Sequence, residues 1–211
     1  MSMNFMTHPA AAVQPARAPG RPREFDLDQA LDKAIRIFSE RGYHGTSIGE
    51  LKTAMGLTAG SIYKAFKDKR AVFLAAFDRY KTVRAQLLET ELGQAETGRG
   101  RIAALLQFYA RAACGETGRR GCLAIGAAVE LSLFDTEVAD RVEGHNARLI
   151  QRIEAFIRDG QADGSIGRHV EPSGTAVAIF AYLMGIRIAG KTGRDDAPLT
   201  ASVQVALKLI D

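Results

Sequence analysis

Hydrophobic residues recur with helical spacing along almost the whole chain. The first run places apolar side chains at i, i+3, i+4, i+7, i+8 and i+11, which is one face of an α-helix. Its members are Leu27, Ala30, Leu31, Ala34, Ile35 and Phe38. Asp26 with Gln29 predicts the start of this helix by a capping box, and Gly42 predicts its end. Because no segment shows sustained alternation with β-branched residues, we expect an all-α protein.

Capping signals predict two short helices after the first one. Ser47 and Glu50 have the spacing of a capping box, and the helix that they open is expected to end near Gly56. Thr58 is the expected N-cap of a second short helix, which reaches about Phe66. The two helices are therefore separated by a tight turn that contains a glycine.

A long helix and a larger helical region follow. Asp68 is expected to open a helix over 69–92. The remaining apolar periodicity predicts helices near 101–115, 121–134, 136–159, 172–191 and 198–209, separated by polar breaks such as GETGRRG. The expected architecture is an N-terminal three-helix bundle, joined by the long helix to a larger C-terminal helical domain.

The composition is typical of a globular protein. Of the 211 residues, 46% are apolar and 25% are charged. No apolar run approaches the roughly 20 residues needed to cross a bilayer, and the N-terminus lacks the features of a secretory signal. The four histidines are scattered, and no two of them have the spacing of a pair of metal ligands, so the sequence indicates no metal site. We expect a cytoplasmic protein that has no contact with a membrane and holds no metal or cofactor.

The charge is unevenly distributed and suggests a polyanionic partner. Residues 1–80 carry 12 Lys and Arg against 8 Asp and Glu, whereas residues 81–211 carry 16 of each. The excess positive charge therefore lies in the N-terminal part. Four of the six prolines fall within residues 1–24, which we interpret as a flexible basic arm. The expected domains are then 25–68 for DNA binding and 69–211 for a second task.

Residues 46–66 have the layout of a helix-turn-helix, in which the second helix enters the major groove of DNA N-terminus first. Polar groups at the helix starts are suited to phosphate, and small or polar side chains at the front of the second helix can reach base edges. The candidate contacts are Thr46, Ser47, Thr58, Ala59, Gly60, Ser61, Tyr63, Lys64 and Lys69. A plain three-helix bundle with solvated polar caps is the alternative.

Residues 21–80 resemble the DNA-binding domain of the TetR family of transcriptional regulators. The resemblance rests on FSERGYHGTSIGELKTAMGLTAGSIYKAFKDKRAVF, from Phe38 to Phe73. Ala65 departs from the pattern, because the family often has His or Tyr there. The resemblance implies a homodimer that binds a palindromic operator. It also implies that the C-terminal domain binds a small-molecule effector, which releases the repressor from DNA. A DNA-binding dimer without an effector is the alternative.

The arm contains Pro19-Gly20-Arg21-Pro22-Arg23, which resembles the Arg-Pro core of minor-groove hooks. Arg21 and Arg23 are therefore candidate DNA contacts, because arginines on flexible arms can enter narrow A·T-rich grooves. A solvated tail without a DNA contact explains the same composition.

Aromatic residues in the C-terminal part are candidates for an effector pocket, although such residues more often form a simple core. The candidate lining is Phe73, Phe77, Phe108, Tyr109, Arg111, Phe134 and Phe180. Arg111 and Arg187 lie in apolar helical stretches and are candidates for an anion contact, while an outward or interface-paired arginine is the more common case. The helices near 136–159 and 172–191 are the expected dimer interface, because the latter is rich in Ala and Gly.

Two further interpretations compete with an effector-controlled regulator. Cys114 and Cys122 flank a Gly-rich link with arginines nearby, so a redox switch is an alternative to two buried, inert thiols. Ser61 and Lys64 match S-x-x-K, and residues 191–193 match K-T-G, which together would indicate a serine-acylating enzyme. The short chain and the missing S-D-N or Y-x-N signature argue against an enzyme.

Overall fold

The computed structural model describes residues 26–193 and 196–211, which form ten α-helices and one 3₁₀ helix and contain no strand. The helices are α1 (Leu27–Arg41), α2 (Ile48–Met55), α3 (Ala59–Ala65), α4 (Lys69–Leu92), α5 (Gly98–Ala113), α6 (Gly115–Arg120), α7 (Leu123–Glu130), α8 (Thr136–Asp163), α9 (Pro172–Lys191) and α10 (Asp196–Ala206), followed by the 3₁₀ helix Leu207–Ile210. The predicted all-α class is confirmed.

The predicted starts and stops of the first helices are confirmed. The Asp26 carboxylate accepts the backbone N–H of Gln29, and Ser47 with Glu50 forms both halves of the capping box. Gly56 has φ of 70°, in the left-handed region where only glycine fits at low cost, and it ends α2. The sequence therefore determines α1 to α3 through local hydrogen bonds.

Three boundaries in the C-terminal part were predicted wrongly, and the first is the end of the helix expected near 121–134, which ends at Glu130. The GETGRRG segment, expected to be a break, contains α6. The helix expected to end at residue 159 continues to Asp163, because Gly160 packs closely on α5 rather than ending α8. A Cβ placed on Gly98 would lie 2.1 Å from the backbone nitrogen of Gly160. Glycine here permits the approach of two helices, which local sequence cannot reveal.

The buried side chains form two clusters. The first joins α1, α2, α3 and the start of α4, and it also includes residues of α7 and the beginning of α8. The second joins the end of α4 to α5, α8, α9 and α10. Helix α4 contributes to both clusters, with Phe73 and Phe77 in the first and Leu88 and Leu92 in the second. Helices α1 to α3 therefore share a core with α7 and α8.

Within the described residues, α9 is the one helix long and apolar enough to cross a membrane by length and composition alone. In the fold this helix packs against α5 and α8, with Ile179 and Leu183 fully buried. The core helix of a globular protein can have the same composition as a membrane span, so composition alone does not distinguish the two.

Candidate DNA-binding surface and ligand cavities

Helix α3 presents a polar, accessible face and is anchored by a single apolar side chain. Ile62 is fully buried in the first cluster, whereas Thr58, Gly60, Tyr63 and Lys64 are exposed. Ala59 and Ser61 are half-buried. The Thr58 hydroxyl accepts the backbone N–H of Ser61 at 3.1 Å and lies 2.9 Å from the Ser61 hydroxyl, which fixes the start of α3.

Thr46, Ser47 and Lys69 have contacts within the protein, and the burial of Thr46 corrects its prediction as a direct DNA contact, whereas a DNA contact of Lys69 stays a prediction. The Thr46 side chain is 1% exposed, and its hydroxyl donates to the Gly42 carbonyl at 2.7 Å. The Lys69 ammonium donates to the carbonyls of Tyr43 and Thr46 at 3.0 and 2.9 Å and lies 4.2 Å from the centre of the Tyr43 ring. Lys69 therefore holds the loop that precedes α2.

We expect Lys69→Met to weaken operator binding without changing its salt dependence. The substitution leaves the two loop carbonyls without their charged donor and lowers the free energy of unfolding by about 1–3 kcal/mol. Lys64→Met, which removes an exposed cation of α3, should keep the stability and lower the salt slope by roughly one unit. Fluorescence anisotropy at several salt concentrations and urea unfolding measure both effects. A lower salt slope for Lys69→Met at unchanged stability would instead indicate a phosphate contact.

The C-terminal domain contains two adjoining cavities of about 340 and 210 Å³, which we call together the central cavity. They share Arg84, Tyr109 and His145, and lie among α4, α5, α8 and α9. The Arg84 guanidinium lies 4.1 Å from the centre of the Phe108 ring. Phe108, Tyr109 and Phe180 of the predicted pocket lie in this lining.

Four other positions of the predicted pocket lie elsewhere, which corrects that prediction. Phe73 and Phe77 are each 1% exposed in the core around α1, and Phe73 packs edge-on against Phe38. Phe134 is 84% exposed, because it falls in the turn after α7. Arg111 forms a surface ion pair with Glu91 at 2.7 Å and is absent from the lining of the central cavity.

Sequence reasoning missed Arg84 and His145, which line the central cavity together with Tyr80. Tyr80, Arg84 and Leu88 recur at i, i+4 and i+8 on α4, and this spacing was the available signal. Burial raises the pKa of Tyr109 to about 12. Burial first, and then the positive charges of Lys81, Arg148 and Arg84, lower the pKa of His145. Both effects disfavour the charged imidazole, and the cationic surroundings of His145 are suited to a ligand with acceptor groups.

The two cysteines contact different helices. The Cys122 thiol lies 3.2 Å from the Tyr80 hydroxyl on α4, and the Cys114 thiol lies 3.9 Å from the Thr200 hydroxyl on α10. Both thiols are free, and the segment between them is a helix instead of the expected loop. A redox role for this pair remains a prediction. No cluster of metal-ligating side chains occurs among the described residues.

Comparisons with known proteins relate both the N-terminal and the C-terminal part of the chain to the same kind of regulator. A family model described as bacterial regulatory proteins, tetR family, matches residues 30–76, and a second, described as tetracyclin repressor-like, C-terminal domain, matches residues 98–206. The transcriptional repressor ComR of Escherichia coli (strain K12) is 30% identical over 190 residues, which are 89% of this chain and 88% of ComR. This chain belongs to the TetR family.

Other relatives extend over most of this TetR-family chain. The transcriptional repressor DhaR of Mycobacterium sp. (strain GP1) is 25% identical over 180 residues, covering 85% of this chain and 89% of DhaR. A cysteine mutant of the TetR-family regulator CifR, solved in complex with 26-base-pair operator DNA, superposes with a TM-score of 0.81 at 29% identity, covering 91% of this chain and all of that one.

Membership of the TetR family identifies the protein as a DNA-binding transcriptional regulator and excludes the enzyme interpretation. The geometry agrees with this conclusion. Ser61 is engaged with Thr58 at the start of α3, and the Lys191 ammonium donates to backbone carbonyls, including that of Ser39 at 2.9 Å. The S-x-x-K and K-T-G matches are therefore parts of two separate helices with structural contacts of their own.

Charged contacts tie the start of α4 to α8 in this TetR-family protein, and sequence reasoning missed these contacts between the two helices. The Arg70 guanidinium binds both carboxylate oxygens of Asp135, at 2.5 and 2.8 Å, and also Glu137 at 2.8 Å. Arg141 joins the network through Glu137 and Asp78. Partners 65 residues apart give no local signal, so only the tertiary fold could show the network.

We expect Asp135→Asn to lower the free energy of unfolding at pH 7 by about 1–2 kcal/mol. This range is smaller than the pKa shift alone would give, because the Arg70 partner is partly exposed and solvent weakens the ion pair. The hydrogen bonds from Arg70 lower the pKa of Asp135 to about 2. A lowered pKa contributes stability that is complete above the unfolded value near 4, and that is lost as the pH falls toward 2. Asparagine retains the N-cap of α8.

Urea unfolding between pH 7 and pH 2 tests the role of Asp135. The difference between wild type and Asp135→Asn should shrink steadily below about pH 4. Asp140→Asn, which removes an exposed carboxylate from the same helix, is the matched control and should change stability by less than about 0.5 kcal/mol. A pH-independent difference for Asp135→Asn would contradict the contribution of the ion pair.

Proposed function

We propose that this protein is a homodimeric repressor that binds a palindromic operator and is released by a small-molecule effector. Its relatives ComR and DhaR are transcriptional repressors, and CifR has been solved on operator DNA. The exposed face of α3, from Thr58 to Lys64, would enter the major groove. The arginines Arg21 and Arg23 lie outside the described residues, and a contact of the arm with the minor groove is part of this proposal.

The observation that carries the proposed release is the path of α4. Phe73 and Phe77 lie in the core that holds α1 to α3, whereas Arg84 and Leu88 on the same helix line the central cavity. A ligand in the cavity therefore contacts the helix that positions the DNA-binding bundle. An effector lowers operator affinity only if it binds the DNA-incompetent arrangement more tightly.

The proposed dimer interface is the exposed side of α8 and α9. Val177, Ala181, Gly185 and Ile188 follow one another at helical spacing on α9, and all four are exposed. Half of the Val177 side chain and 53% of the Ile188 side chain are accessible. Small residues in this strip permit the close approach of a second copy of the helix. Two protomers would then place two α3 helices about one turn of DNA apart.

The test begins with operator DNA selected from a random pool by the full-length protein. Thermal unfolding with a metabolite library then identifies ligands, because a ligand that binds the native state raises the melting temperature. Under the proposal, a ligand so identified lowers operator affinity by at least about tenfold, and a symmetric site binds two protomers. Unchanged operator affinity at ligand saturation would leave a DNA-binding dimer without an effector.

Two arginine variants locate the ligand found in this way. Arg84→Met removes the cation beside Phe108 and should weaken ligand binding by about tenfold or more. Arg111→Met is the matched control, because Arg111 lies outside the central cavity in an exposed ion pair. Equal loss of ligand binding in both variants would place the effector outside the central cavity.

A further inference from the structure

A cleft of about 530 Å³ lies where the DNA-binding helices meet the C-terminal domain. Its walls are the end of α1 (residues 38–42), α7 and the end of α9. Ile125, Val129 and Ile188 supply an apolar lining. The cleft adjoins the central cavity and shares three wall residues with it, Cys122, Ile125 and Ile188. A volume in this range is typical of sites for small organic molecules.

Arg187 is a buried cation in the wall of the cleft. Only 4% of the residue is exposed, and its Nη2 donates to the Gly121 carbonyl at 2.9 Å. Within the described residues, Nη1 of Arg187 is the one buried side-chain nitrogen or oxygen that lacks a hydrogen-bond partner. Such an atom carries the full cost of leaving water, so an acceptor brought to it is strongly favoured.

The other cations of the cleft already have acceptors. The Lys191 ammonium donates to the carbonyls of Ser39 and Arg120 at 2.9 and 3.0 Å. Arg41 forms an ion pair with Glu50 on α2. Arg187 is therefore the cation of this wall that has a buried, unpaired donor.

The acidic residues of the cleft are also engaged. Glu40 accepts from Arg120 at 3.2 Å, and Glu130 accepts the backbone N–H of His44 at 3.1 Å. Neither carboxylate has a hydrogen bond to Arg187, so these acidic residues do not supply an acceptor for its Nη1. The contact between Glu130 and His44 also joins α7 to the loop before α2, so the cleft borders the DNA-binding bundle.

We propose that this cleft binds a monocarboxylate with an apolar chain, whose carboxylate pairs with Arg187 and whose chain packs on Ile125, Val129 and Ile188. A planar guanidinium is well matched to a carboxylate, and the pair becomes stronger when it is shielded from water. The site adjoins the central cavity, but Arg187 lines only the cleft, so the proposal does not depend on the effector proposed for the central cavity. The cleft can bind a ligand even if no effector binds in the central cavity, and the converse also holds.

Octanoate is the probe, with 1-octanol and acetate as controls for the charge and the chain. Octanoate at ten times its Kd should raise the melting temperature of the full-length protein by roughly 3–6 °C. Neither control should give a shift, because 1-octanol lacks the charge and acetate lacks the chain. The proposal is overturned if calorimetry detects no octanoate binding at millimolar concentrations, or if 1-octanol binds equally well.

Two variants assign the bound octanoate to the cleft. Arg187→Met should weaken octanoate binding roughly 10- to 100-fold. Gly126→Met leaves Arg187 intact and fills the cleft; a Cβ there is 3.9 Å from its nearest neighbour, an oxygen of Glu130, so folding should be retained. It should also abolish binding, whereas Arg111→Met should not. Binding that is kept in Gly126→Met but lost in Arg84→Met would place octanoate in the central cavity and overturn the proposal.

Discussion

Gly60→Asp is expected to raise the Kd for the operator at least about 100-fold while leaving the protein folded. Gly60 is exposed near the start of α3, and a Cβ on it would approach only the Thr58 hydroxyl, at 3.9 Å. An acidic residue in the first turn of a helix is favourable for folding. On the proposed DNA-binding surface, however, the carboxylate would face phosphates and base edges, and like-charge contacts of this kind cost several kcal/mol.

Gln94→Asp is the matched control for Gly60→Asp, because it makes the same change in net charge at an exposed position beyond the end of α4. The 24 residues of that helix place it roughly 36 Å from the start of α4. Its operator affinity should remain within about threefold of wild type. Anisotropy titrations with the selected operator compare the two variants. If Gly60→Asp bound the operator as tightly as Gln94→Asp, α3 would not be the helix that reads DNA.

Gly98→Ala is expected to lower the free energy of unfolding by about 3 kcal/mol or more. A Cβ at this position would lie 2.1 Å from the Gly160 nitrogen and 2.3 Å from the Phe156 carbonyl oxygen. Both contacts are with backbone, which cannot move aside as a side chain can, so α5 and α8 must separate. Separation opens the second core cluster, to which both helices contribute.

Gly144→Ala provides the comparison for Gly98→Ala. A Cβ on Gly144 would have ordinary contacts, the nearest being 3.5 Å from Arg148 Nη1, so the gain in helix propensity should stabilise by up to about 1 kcal/mol. Urea unfolding at one fixed protein concentration measures both variants, because dimerisation makes stability depend on concentration. Similar losses in the two variants would show that close packing at Gly98 is not the cause.

The contrast between Gly56 and Gly160 shows which role of a glycine can be predicted from the sequence and which cannot. Gly56 was correctly predicted to end α2, because a positive φ after a helix is a local requirement. Gly160 resembled a helix terminator, but it lies within α8 against α5. Local propensity cannot distinguish a glycine that ends a helix from one that admits a neighbouring helix. The same limit hid α6, which lies within a Gly-rich segment and packs against α9.

The candidate sites were predictable to different degrees. The positions around α3 follow from capping residues and one buried side chain, Ile62, so the sequence indicated which residues would be exposed. The pocket was harder, because aromatic residues form cores and cavities alike. Phe108 and Phe180 line the central cavity, whereas Phe73 lies in the core around α1. The difference depends on which helices pack on each face.

The sequence by itself determined the all-α class, the helix-turn-helix and the family, because capping, periodicity and the Phe38–Phe73 pattern are local properties of the chain. Only the tertiary structure decided that Lys69 holds a loop, that Arg70 joins α4 to α8, and that Arg187 lies in a cleft with an unpaired donor. The physical reason is that these roles belong to contacts between distant residues. A charged side chain acquires its partner, or lacks one, only when the helices pack.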